Sequence, residues 1–390
     1  MLNYEYPPIG SGSGIITQYI SEGLARLGNR VTVVTTAFST EGEVSGNLSE
    51  NQESSGPQNR VEVIRVKARR KNTYYSDPVE MLSWIHATKD YIRQYQNIHE
   101  FNFCFAHFAL PGGEVARWLK RKFNIPYVIM SHGHDIPWVH PRKMFLFHLF
   151  LYPRIHQICS GSTINFIQTR TMKSNLDRFL GTGYSEKNRI IPNGIDAEHF
   201  YPNYGQRPAR LKILFVGRLV SQKDPLTFLK ALALFSKEYP DLLVEIFGDG
   251  PLHKKMQTFC ARHNLDNIVK FMGKQSEDAM VRAYQSSHLL VATSLNEGMS
   301  ISLLEALACG TYVITTPVSG TDIVIKEQIN GTFVKFRDSR DVSCAMSEFA
   351  ITKFKNKYVA PDEVIDQIGR DLSWEKICLE YQACLENFFR

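Results

Sequence analysis

Residues 294–317 read SLNEGMSISLLEALACGTYVITTP, and the order of elements in this stretch decides the fold class. Just before it, Leu289-Leu290-Val291-Ala292 is an apolar run of strand length; within it, Tyr312 to Thr315 is a second. A polar turn carrying Glu297 and a helical segment carrying Glu305 separate the two. Apolar strand, turn, helix, apolar strand is the unit from which parallel sheets covered by helices are built. Gly298 can take backbone angles closed to other residues. The amides of Gly298, Met299, Ser300 and Ile301 are expected to open the helix, where unpaired N–H groups and the helix dipole attract an anion. A carboxylate directly before an anion site fits if it faces neutral hydroxyls while the amides face a phosphate. Phosphate beside polyol is the chemistry of a nucleotide-sugar.

Outward from this stretch the same alternation continues in both directions. In the first half, strands are expected at Arg30–Thr36, Val61–Val66, Phe101–Ala106, Tyr127–Met130, Ile164–Thr169 and Arg189–Ile191. Met1 to Tyr4 reads as the tail of a first strand, either short or continued upstream. Ser39–Asn59, rich in Ser, Glu, Asn and Gly, reads as a surface loop. A second run of strands starts at Leu211–Val216 and continues through Leu242–Phe247, Ile268–Met272, Leu289–Ala292, Tyr312–Thr315 and Thr332–Val334. This is an α/β chain of two doubly wound domains, 1–200 and 201–370, with a terminal helix over 371–390 packing back towards the first. Ligands of such sheets bind beyond the carboxyl ends of the strands.

Composition narrows the function classes. The 390 residues are 43% hydrophobic and 22% charged, ordinary for a water-exposed globular chain of two domains. A net charge of +6 suits an anionic ligand or an anionic membrane surface and is too dispersed to argue for nucleic acid. The seven cysteines are scattered without a C-x-x-C pair, so neither a zinc site nor a disulfide framework is expected. The absence of a run of about 20 apolar residues or a signal-peptide core points to the cytoplasm.

Several residues carry the candidate chemistry. Gly217-Arg218-Leu219-Val220-Ser221-Gln222-Lys223-Asp224 leaves a strand at its carboxyl end. There Arg218 can grip phosphate oxygens in a fork, and Lys223 can add a point charge. Glu305 sits in an almost wholly apolar helix and needs a hydrogen-bonding partner, for which ribose hydroxyls would serve. In the first half, Pro7 to Gly14 is a glycine-rich turn before a helix; it is either a surface turn or a close approach to a ligand. Ser131-His132-Gly133-His134-Asp135 follows a buried strand, and His107 ends another. These histidines are structural, ligand-binding or metal-binding by residue type alone. Neither a D-x-D nor a G-x-x-x-x-G-K-[ST] sequence occurs.

The series resembles one family. Glu297 to Glu305 matches the E-x7-E motif of retaining GT-B glycosyltransferases, and its context is similar to glycosyltransferase family 4. Gly217–Asp224, Gly248-Asp249-Gly250-Pro251 and Pro192-Asn193-Gly194-Ile195-Asp196 match the same family in the same order. The resemblance implies two Rossmann-like domains facing across a cleft, the acceptor bound mainly by the first and the donor by the second. It also implies sugar transfer from a nucleotide-sugar to a hydroxyl with retention, metal-independent and without a cofactor. Arg218 and Lys223 would hold the donor diphosphate, Glu297 the transferred sugar and Glu305 the ribose. The amides from Gly298 to Ile301 would cap the distal phosphate. Gly12, Gly217, Gly248 and Gly250 would lie against the donor, and His132 would bond the transferred sugar. His134, Asp135 and His107 fall on the acceptor or sugar side. The implied partners are a UDP- or GDP-sugar ahead of an ADP-sugar, and a saccharide or lipid-linked acceptor.

The implied setting is bacterial surface polysaccharide or glycoconjugate assembly. Contact with the inner face of the membrane is a separate expectation, from the basic then apolar run Pro141 to Leu151. Rival readings are a sugar-nucleotide epimerase, a phosphorylase, or a non-catalytic two-lobed binding protein.

Overall fold

Each apolar run becomes a strand where a parallel neighbour meets it in register. In the computed structural model the described residues are 1–10, 12–37, 61–70, 76–133, 135 and 145–389. The segment 39–59, residues 141–144 with the basic Arg142 and Lys143, and His134 lie outside them. The chain divides into two compact units, Met1–Asn193 with Trp374–Arg390, and Gly194–Ser373.

In the first unit, α1 (Gly12–Arg26) leads to β1 (Val31–Thr36) and β2 (Val61–Val66), paired in parallel from Val31↔Val61 to Thr36↔Val66. Then follow α2 (Pro78–Gln94), β3 (Cys104–His107), α3 (Glu114–Phe123), β4 (Tyr127–Met130), α4 (Phe145–Gly161), β5 (Ile164–Ile167), α5 (Arg170–Leu180) and β6 (Asn188–Ile190). β3 to β6 form a second parallel sheet in sequence order. The expected first strand is reduced to bridges from Leu2 to Val34 and to Ala106, which link the two sheets. β3 starts at Cys104, later than the apolar run suggests, because its partner β4 opens at Tyr127 and Cys104 N–H already bonds the carbonyl of Pro126.

Trp84, Phe105, Tyr127 and Phe166 fill the core of this unit. The terminal helix Trp374–Phe389 belongs to it. Tyr381 is fully buried with its ring 4.9 Å from Phe166, and Trp374 stacks on Tyr19 at 5.0 Å.

In the second unit β7 (Leu211–Val216), α6 (Pro225–Phe235), β8 (Leu242–Phe247), α7 (His253–Arg262), β9 (Val269–Gly273), α8 (Glu277–Gln285), β10 (Leu289–Ala292), α9 (Ile301–Ala308), β11 (Tyr312–Thr315) and β12 (Gly331–Phe333) alternate. The sheet is wholly parallel with spatial order β12-β11-β10-β7-β8-β9. This is the order of a dinucleotide-binding Rossmann sheet, and its direction reverses between β7 and β10. Among the described residues no helix is long and apolar enough to cross a membrane. The cysteines are free, five of them buried, with Cys344 exposed and Cys384 half-buried.

Candidate active site

The reversal point of the second sheet gathers most of the candidate residues. At the carboxyl end of β7 the chain turns through Gly217 (φ 145°), whose N–H bonds the Phe247 carbonyl at 3.0 Å. Gly248 (φ 114°) passes so close that a Cβ there would stand 2.1 Å from the Gly217 carbonyl oxygen. Leu219 N–H to the Asp249 carbonyl, 2.9 Å, continues the seam beside Gly250. The loop from Arg218 to Asp224 is therefore directed across to the end of β10. There Leu295 N–H donates to the Gln222 carbonyl at 2.7 Å, and Gln222 Nε2 donates to the Asn296 carbonyl at 2.8 Å.

These ties bring Lys223 Nζ to 2.6 Å from Glu297 Oε1, with both side chains largely buried. Ser294 Oγ donates to the same oxygen at 2.7 Å. Arg218 is partly exposed, and no acid among the described residues pairs with it. Helix α9 opens at Ile301 with Ser300 as N-cap, and the Ser300 hydroxyl caps no backbone N–H. The orphan donors are thus those of Ser300 to Leu303. Gly298 and Met299 precede the helix, contrary to the expectation that their amides open it. Gly298 takes no positive φ, and Met299 is buried in the core beside Leu303.

Glu305, on the same helix, does have a protein partner. Tyr284 on α8 donates its hydroxyl to Oε2 at 2.8 Å. Burial raises the carboxyl to about 7, against the opposing pull of the Tyr284 bond. No donor among the described residues reaches Oε1.

In the first unit, β3 and β4 end side by side, and their polar residues interlock. Asp135 is buried; its Oδ1 accepts from His132 N–H at 3.1 Å and its Oδ2 from Ala109 N–H at 2.9 Å. It therefore fixes the loop. Burial raises its pKa despite these bonds. His107 has 0% exposure and lies behind the partly exposed His132, the two rings near parallel at 16° with centroids 5.3 Å apart. It makes no direct surface for an acceptor. Gly12 opens α1, but the glycine that needs a left-handed backbone is Gly10 (φ 94°), packed on Glu5. Buried Glu5 accepts from Ser13 Oγ, and Arg70 Nη2 lies 3.8 Å from it. The glycine-rich turn is thus held by a buried charge pair.

Comparison with known proteins agrees with this geometry. The family profile described as Glycosyltransferase Family 4 matches residues 10–199, and the one described as Glycosyl transferases group 1 matches residues 199–358. The chain belongs to glycosyltransferase family 4. It is 25% identical over 419 aligned residues to an uncharacterized glycosyltransferase of Methanocaldococcus jannaschii, covering 100% of this chain and 99% of that one. A second uncharacterized glycosyltransferase from the same organism is 27% identical over 72% of this chain and 74% of its own. Sucrose-phosphate synthase from Thermosynechococcus elongatus shares the fold at TM-score 0.83 and 18% identity, with 100% of this chain and 98% of that chain covered. Anabaena HepE in complex with UDP and glucose does so at TM-score 0.77 and 16% identity, over 99% and 98%. The transferase therefore has the GT-B fold, and no rival reading is favoured.

Within the transferase, the structure brings Arg218, Lys223, Glu297 and the start of α9 to one sheet edge, and His132 and Asp135 to another. Tyr284, Ser294 and Glu5 were not legible in the sequence. Each is an ordinary residue outside any motif, and only the packing of its element against a neighbour gives it a role.

Proposed function

We propose that the transferase moves a hexosyl group from a nucleotide-sugar to an acceptor hydroxyl with retention of anomeric configuration and without a metal ion. The observation that supports this most is the convergence of Lys223, Glu297 and α9 at the reversal point of the second sheet, with Arg218 leaving the adjacent strand. In this reading Arg218, Lys223 and the α9 amides hold the donor diphosphate and stabilise the charge that grows on it. Glu297 and His132 bond the transferred sugar, and Glu305 bonds the ribose. The bond from the anomeric carbon to the phosphate oxygen breaks, and the acceptor oxygen bonds that carbon from the same face. The acceptor proton passes to the departing phosphate. Preorganised cations and amides of this kind contribute several kcal/mol to such a barrier.

HepE has been seen with UDP and UDP-glucose, which supports a nucleotide-sugar donor, with UDP or GDP ahead of ADP. A saccharide or lipid-linked acceptor in bacterial surface polysaccharide assembly, met on the cytoplasmic side, completes the reading. Leu149 and Phe150 on α4 are 55% and 78% exposed and suit peripheral contact with a membrane, which vesicle flotation tests.

The deciding experiment screens UDP-, GDP- and ADP-sugars by thermal shift, then follows transfer with the stabilising donor by NMR of the anomeric proton. A retained configuration, insensitivity to EDTA and a loss of about 100-fold in Arg218→Ala or Lys223→Ala are expected. Inversion of configuration, or full transfer by both variants, would refute the reading.

A further inference from the structure

His107 is a buried ionisable group to which the proposed chemistry gives no part, and its neighbours leave its proton little choice. Its Nδ1 lies 3.2 Å from Thr17 Oγ1 and 3.0 Å from His132 Nε2. The Thr17 hydroxyl has one hydrogen, which it donates to the Ser13 carbonyl at 2.8 Å. Asn3 Nδ2 donates to the same hydroxyl oxygen at 2.6 Å. Toward His107, Thr17 can therefore only accept.

A neutral imidazole carries one N–H. Placed on Nε2, that proton would be a buried donor without an acceptor, while Nδ1 and Thr17 Oγ1 faced each other lone pair to lone pair. Orphaned buried donors are the costlier case. Placed on Nδ1, it faces two acceptors, Thr17 Oγ1 and His132 Nε2, and only a lone pair on Nε2 goes unmatched. Nε2 indeed has no partner. His107 stays neutral, since burial and then the nearby His132 push its pKa well below the ordinary value.

We propose that His107 is a positioning residue: its Nδ1–H, oriented by Thr17, holds His132 in the neutral tautomer protonated on Nδ1, with Nε2 as acceptor. The structural part of this stands alone; its consequence for transfer rests on His132 touching the sugar. Held this way, His132 donates from Nδ1. It also resists a second proton, because an Nε2–H would point at the N–H of His107. Beside the pair, Asp135 accepts backbone N–H groups at both carboxylate oxygens.

The test is nitrogen NMR on the full chain labelled at histidine. His132 is expected to show a bare Nε2 and a protonated Nδ1, with a titration midpoint at least one pH unit below that of an exposed histidine. His107→Asn offers an N–H near the place of Nδ1 and should preserve both features. His107→Phe keeps the ring shape without the donor; it should return His132 to an ordinary tautomer mixture and raise the midpoint by about one unit. A proton on His132 Nε2 in the native chain would overturn the proposal, and so would an unchanged tautomer in His107→Phe. If the Phe variant does not fold, the native spectrum still decides.

In the transfer assay, kcat should fall about tenfold or more in the Phe variant with donor KM within twofold, and recover in the Asn variant. An altered tautomer with unaltered kcat would refute the role in transfer. Full transfer by His132→Ala would refute the sugar contact instead, leaving the tautomer result in place.

Discussion

Glu305 shows how one side chain can report on the donor site. Its carboxyl, raised to about 7 from 4.5, holds its proton more tightly in the folded chain than in the unfolded one. The stability linked to it is therefore complete below pH 4.5 and lost as pH rises to about 7. Relative to Glu305→Gln, the native chain should lose melting temperature across that window, read by calorimetry at several pH values. Donor affinity should move the other way, rising with pH through about 7 if ribose hydroxyls donate to the carboxylate. In the Gln variant that rise should be absent.

The Lys223–Glu297 contact makes a second residue-scale expectation. Glu297 holds the cation that the proposed function assigns to the diphosphate. Glu297→Gln should leave nucleoside diphosphate binding equal or tighter by calorimetry, while transfer falls at least tenfold. Weaker diphosphate binding would show that Glu297 positions Lys223 rather than competing for it.

At the scale of elements, the seam between β7 and β8 sets where the cations go. A methyl at Gly248 would meet the Gly217 carbonyl at 2.1 Å in a backbone region that side chains avoid. Gly248→Ala should cost about 3 kcal/mol or more, seen as a large drop in denaturation midpoint or as insoluble protein. The strands themselves were legible because their runs are mostly apolar and strand-length, interrupted only by single charged residues such as Glu62, Arg65, Lys212 and Glu245: β2, β4, β7, β8, β10 and β11 begin and end where their runs do. The start of α9 was not. The turn from Glu297 to Ser300 carries no strong cap signal, and burial of Met299 in the core, a tertiary event, delays the helix to Ile301.

At the scale of the molecule, the chain returns to its first unit for the last 17 residues. Trp374, Ile377, Tyr381 and Leu385 are buried there, each contributing about 2 kcal/mol from removal of apolar surface. Gly23 leaves room for this helix, since a Cβ would stand 2.2 Å from Cys378 Sγ. Ending the chain at Ser373 should therefore strip the first unit of most of its stability. Residues 194–373 expressed alone should unfold cooperatively by calorimetry, because their sheet and core are complete without it.

The order of apolar runs determined the α/β class, and the motif series determined the family, because periodicity and spacing are properties of the chain alone. Which groups share a proton, and which acid meets which cation, depend on strands far apart in sequence ending side by side. Thr17 reaches His107, Tyr284 reaches Glu305 and Lys223 reaches Glu297 only after the sheets have paired, and no local pattern in the chain encodes those distances.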